Sequence, residues 1–187
     1  MGEISVPGVQ QVRFAYSALE DRLAVRLTMA SGEGRVAWLT RRGLTGLMQH
    51  MNTVLKKSHP AGEGSEAHDA IMALEHIGAR SQVAAQRARE LDALSDGEVS
   101  GAERPTGWTH HLITEVTVEP QGEGIVVALM GQPLPGELDR RLDPLPIAGL
   151  ALTRPHAHEI LHLMRSSAMQ AHWELESAIG WLENASE

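Results

Sequence analysis

The chain of 187 residues predicts an α+β fold, a tandem β-β-β-α repeat, and three observations carry that reading. Short segments of alternating apolar and polar residues occur in two clusters. Each cluster ends in a Leu-Thr-Arg step (Leu39-Thr40-Arg41 and Leu152-Thr153-Arg154) that leads into helical spacing. Between them lies an alanine-rich stretch with a four-three apolar rhythm. The expected organisation is a first β-β-β-α unit over 1–57, a linker and long helix over 58–107, and a second unit over 108–187. The units are expected to be two small antiparallel sheets, with a long Ala-rich central helix and a long C-terminal helix.

In the first unit, residues 10–17 place Val12, Phe14 and Tyr16 on one side of a strand. Residues 22–30 alternate Leu23, Val25, Leu27 and Met29 against Arg22, Arg26 and Thr28. Gly32-Glu33-Gly34 suits a hairpin, because glycine reaches positive φ without penalty, and 35–39 form a third strand. Thr40 then stands as an N-cap before Leu44, Leu47, Met48, Met51 and Leu55, which recur at helical spacing.

Ser65 is the expected N-cap of the central helix, which runs to about Leu94. Its seam is Ala70, Leu74, Ile77, Ser81, Ala84, Ala88 and Leu91. Small residues at that spacing suit close helix–helix packing. In the second unit, 110–119 and 125–130 read as strands around a Pro120–Gly124 turn. The proline-rich stretch 131–146 reads as a loop with a helical turn at Glu137–Leu142, and 147–152 as the third strand. The last helix is expected from Pro155 to Glu183, with a seam at Ala157, Leu161, Met164, Ala168, Ala171, Leu175, Ala178 and Leu182.

Composition bounds the chemistry. With 3% aromatic residues the core must be aliphatic, and with no cysteine there is no disulfide, thiolate metal site or cysteine nucleophile. That composition suits the cytoplasm, and the N-terminal residues show no signal-peptide pattern. No apolar run reaches the length of about 18 residues that a membrane helix needs. A net charge of −8 argues against nucleic acid, since phosphate binding needs a basic face.

One stretch carries a catalytic motif. His158-Glu159-Ile160-Leu161-His162 matches H-E-x-x-H, in which two histidines on one helix face bind zinc and the glutamate activates water. Over these five residues the chain resembles the thermolysin-like and metzincin peptidases. That resemblance implies His158 and His162 as zinc ligands and Glu159 as general base. The rest of those patterns is missing: Met164-Arg165-Ser166-Ser167 supplies no Gly-x-x-His, and His172 lies about 15 Å beyond His162 along the same helix. His110, His111 and His156 are not selected as third ligands by any spacing.

The expected function is therefore non-enzymatic: binding or assembly through helix-mediated protein contacts, without a cofactor, in a homo-oligomer (a dimer first) or with a protein partner. Trp173 and Trp181 are the candidate partner-binding residues. A zinc-dependent hydrolase using His158, His162 and Glu159 is the first alternative. A single-stranded nucleic-acid-binding repeat protein is the second.

Overall fold

In the computed structural model, described over residues 7–59, 68–95, 105, 107–135, 143–175 and 179–184, the alternating segments form six strands. They are β1 (Val9–Ser17), β2 (Arg22–Met29), β3 (Gly34–Leu39), β4 (Trp108–Gln121), β5 (Gly124–Pro133) and β6 (Leu145–Leu152). The helices among the described residues are α1 (Arg41–Lys57), α2 (His68–Ser95), α3 (Arg154–Gln170) and the short α4 (Gly180–Asn184). None is long and apolar enough to cross a membrane. The N-cap expected at Ser65 and the helical turn expected at Glu137–Leu142 lie outside the described residues.

The order β-β-β-α recurs, but the expected pair of separate antiparallel sheets is wrong. All six strands lie in one mixed sheet in sequence order. The joint is β3 with β4, which pair in parallel from Gly34↔Trp108 to Trp38↔Leu112, while the other neighbours are antiparallel. The physical reason is the sheet edge. Two three-stranded sheets would each expose unpaired edge strands, and pairing β3 with β4 removes two of them. The other edges approach one another as well: Gly8 forms a parallel bridge with Gly149, whose N–H donates to Pro7 O at 2.8 Å. The sheet thus curls toward closure.

Its inner face carries Leu23, Val25, Leu27 and Met29 from β2 with Ile125, Val127 and Leu129 from β5, each 4% exposed or less. Against it pack Leu44, Leu47, Met48, Met51 and Leu55 of α1 and Ala157, Leu161, Met164 and Ala168 of α3. Thr40 and Thr153 cap the two helices, accepting from Gly43 N–H at 3.1 Å and His156 N–H at 3.4 Å. α2 lies over this helical layer, against α3 and α4.

The long C-terminal helix is also corrected: α3 ends at Gln170, and the seam expected beyond it is broken. His172 takes φ of 53°; its N–H donates to Met169 O at 3.0 Å, and Trp173 N–H donates to Ala168 O at 2.9 Å. This is a Schellman stop with histidine in the left-handed position that glycine usually holds. Burial of Trp173 accounts for the reversal. The ring is 8% exposed, packs edge-on to Tyr16 at 5.8 Å, and donates from Nε1 to Asp21 Oδ1 at 3.2 Å. No glycine marks the stop in the sequence, because tertiary packing offsets the backbone strain.

That strain is open to test. His172 is exposed and its φ is positive, so His172→Gly is expected to raise unfolding free energy by about 0.5–1 kcal/mol, read from the urea midpoint. A lower midpoint would show that the imidazole contributes more than the left-handed conformation costs.

Candidate functional site: a histidine cluster clasped beneath α2

Two stripes run along α2 on roughly opposite sides, judged by about 100° per residue. One, at His68, Met72, His76, Ala79 and Val83, is buried against α3 and α4. The other is the expected seam, and its described members Ala70, Leu74, Ile77, Ser81, Ala84 and Ala88 are all exposed. The stripe with the stronger heptad pattern is thus the one left in solvent, and the histidine-bearing stripe makes the intramolecular contact.

Where the buried stripe meets α3, charged groups form a clasp. Arg154, in the first turn of α3, donates from Nε to Glu75 Oε1 at 2.5 Å and from Nη2 to Glu75 Oε2 at 2.8 Å. Its remaining donors reach Ser58 Oγ at 2.8 Å and Leu55 O at 3.1 Å, at the end of α1. One guanidinium therefore ties three helices with fork geometry that a lysine does not reproduce. His158 Nε2 lies 3.4 Å and His59 Nε2 3.9 Å from Glu75 Oε2. Desolvation pushes the Glu75 carboxyl up, but the Arg154 hydrogen bonds and the contact with His158 outweigh it and hold it at about 2.

Behind the clasp sits a cluster of rings. His76 is 1% exposed and His158 fully buried, with centroids 5.5 Å apart; Trp181 is 5.4 Å from each, and His162 is 6.1 Å from His76. Trp181 Nε1 donates to Asn52 Oδ1 at 2.7 Å, which fixes the indole between α1 and α2. Neither ring nitrogen of His76 makes a hydrogen bond, and His158 has the Glu75 charge contact without a well-formed hydrogen bond. Burial, reinforced by the charges of His158, His162, Arg80 and Arg165, lowers His76 from 6.5 to about 3. His76 is thus a neutral packing ring at pH 7.

His158 points toward Glu75 and His76, His162 approaches His76, and Glu159 makes an ion pair with Arg87 of α2 at 3.0 Å. Among the described residues no group of three or more His, Asp or Glu side chains is arranged to hold a metal ion. The residues the motif nominates are thus engaged in holding α2 down. His110 pairs with Trp38 on the sheet, and His156 is exposed and contacts Thr153 Oγ at 2.9 Å. Trp173 and Trp181, the candidate partner-binding pair, are 8% and 1% exposed. They are core residues, buried because the chain turns back after α3, and neither ring is placed to meet a partner. Beside the clasp, a cleft of about 730 Å³ opens between α2 and the β4–β5 turn, with Glu75 and Arg154 in its wall. Since those two charges satisfy each other, they present no unpaired charge to a ligand.

Glu75, His76 and Arg154 were not selected by sequence reasoning. The available signal was the second stripe at 68, 72, 76, 79 and 83, which the alanine-rich seam outcompetes on apolar content. Compared with family models, with curated proteins and with solved structures, the chain matches none.

Two outcomes are expected. Unfolded His76 takes up a proton near 6.5, whereas the folded ring does so only near 3, so acidification favours the unfolded chain across that window. Glu75 adds to this below 4.5, where the unfolded carboxylate protonates and the folded one does not. Unfolding free energy should drop by about 2 kcal/mol between pH 6.5 and 5 on account of His76. Denaturation of His76→Leu should show a shallower slope there, and equal slopes would refute the assignment. Removing the fork with Arg154→Met leaves Glu75 partly buried without its guanidinium partner, and should cost about 2–4 kcal/mol in urea denaturation at pH 7.

Proposed function

We propose that this chain is an assembly protein that pairs with a second copy of itself through the exposed stripe of α2. The observation that supports the reading is the outward position of Ala70, Leu74, Ile77, Ser81, Ala84 and Ala88, with Leu74 69% and Ile77 50% exposed. A helix that covers a protein surface ordinarily turns polar residues outward, and a continuous apolar stripe marks a contact surface. The spacing is four-three throughout, the period of a two-stranded coil, so the stripe is self-complementary. Alanine and serine around two larger side chains allow the helix axes to approach closely. From Ala70 to Ala88 the ridge is about 27 Å long.

The clasp gives the ridge its rigidity. Glu75–Arg154 and Arg87–Glu159 pin α2 along its length, so little ordering remains to be paid on association. In this reading the H-E-x-x-H residues serve assembly indirectly, by holding the docking helix in place.

Sedimentation or light scattering tests the proposal. The full chain is expected to self-associate at micromolar concentration, and Leu74→Glu with Ile77→Glu should lower the affinity of the α2 contact at least about a hundredfold, read as a loss of mass with helical content unchanged. A self-affinity unchanged by those substitutions would refute the role of the stripe.

A further inference from the structure

The outer face of the sheet is a second feature that the fold leaves unexplained. Alternation sends Arg13 of β1 and Arg26 of β2 to the side opposite the core, where they are direct cross-strand partners and both exposed. Like charges in that position oppose strand pairing. Among the described residues neither arginine has an ion-pair partner, and Arg22 lies on the same face. Further across this face, beyond a register shift in β4, Glu115 and Glu119 are likewise exposed and, among the described residues, outside any ion pair. The face is therefore basic at one end and acidic at the other.

The same face carries aromatic rings. Trp38 stacks on His110 at 6.0 Å and donates from Nε1 to its Nδ1 at 3.1 Å. Trp108 is 42% exposed and covers Gly34, where an added methyl group would come within 2.8 Å of the indole. Tryptophan and arginine together are the side chains most enriched where interfaces carry their binding energy.

We propose that this face is a second self-docking surface, in which the Arg13/Arg26 end of one copy lies over the Glu115/Glu119 end of another. A two-fold axis in the plane of contact makes both such matches at once. A polyanion fits the face less well, because Glu115 and Glu119 would repel it and the chain carries a net charge of −8. This surface stands independently of the α2 contact and lies on the other side of the helical layer from it. Two self-complementary contacts on opposite sides would link copies into an extended array, whereas either alone stops at a dimer.

The test uses full-length chain carrying Leu74→Glu and Ile77→Glu, so that mass reports the sheet contact whether or not α2 pairs. Sedimentation is measured for this background, for Arg13→Glu with Arg26→Glu in it, for Glu115→Arg with Glu119→Arg in it, and for the two reversals mixed. The expected result is a salt-sensitive dimer for the background, at least about tenfold weaker self-affinity for each reversal, and recovery of the dimer in the mixture. A monomeric background, unaffected reversals or a mixture that fails to associate would overturn the proposal. So would salt-sensitive retention of a monomeric background on single-stranded DNA, lost in Arg13→Glu with Arg26→Glu, which would assign the face to nucleic acid.

Discussion

The parallel pairing of β3 with β4 is the constraint on which the rest of this structure depends. Antiparallel neighbours can be joined by a turn of two or three residues, whereas a parallel pair requires the chain to return to the end at which it started. From Leu39 the chain does so through α1 and α2, reaching β4 at Trp108. α1 takes the place against the sheet's inner face beside α3, so the second crossover helix is forced into the next layer out. A helix in that position has one neighbouring layer beneath it and solvent above. The exposed stripe of α2 is thus a consequence of topology.

What holds α2 there is part apolar and part polar. Met72, Ala79 and Val83 are buried and Trp181 packs on His76, while His158 and the Glu75–Arg154 fork add polar contacts. A buried fork of this kind adds little net stability over an apolar contact but penalises any other register, because a shifted helix would leave charge buried and unpaired. His76 behaves similarly. It packs as a neutral ring and tolerates burial only while it remains neutral, so the α2–α3 contact is tied to pH in a way that the sheet core is not. The same histidines explain why a five-residue metal motif can stand in a helix whose neighbours serve packing.

Much of the secondary structure was legible. The period-two alternation of Leu23, Val25, Leu27 and Met29, and the Thr-capped spacing of Leu44 to Leu55, are local patterns that depend on nearest neighbours along the chain. Less of the candidate site was legible, and for a definite reason. Glu75 and Arg154 are 79 residues apart and meet only because α2 crosses α3, while either alone reads as an ordinary surface charge. The stop after Gln170 was hidden in the same way, since the residue in the left-handed position is histidine and the gain that offsets it comes from Trp173 docking on Tyr16 and Asp21.

By itself, then, the sequence determined which segments extend, which coil, where the glycine hairpin turns fall, and that an apolar seam runs along the central helix. Only the tertiary structure decided which edges join, where the last helix stops, and which stripe of α2 faces inward. Periodicity states that a face is apolar but contains nothing about what will cover it. That depends on contacts between residues far apart in the chain, and here the polar clasp at Glu75 and Arg154 outweighs the more regular alanine seam.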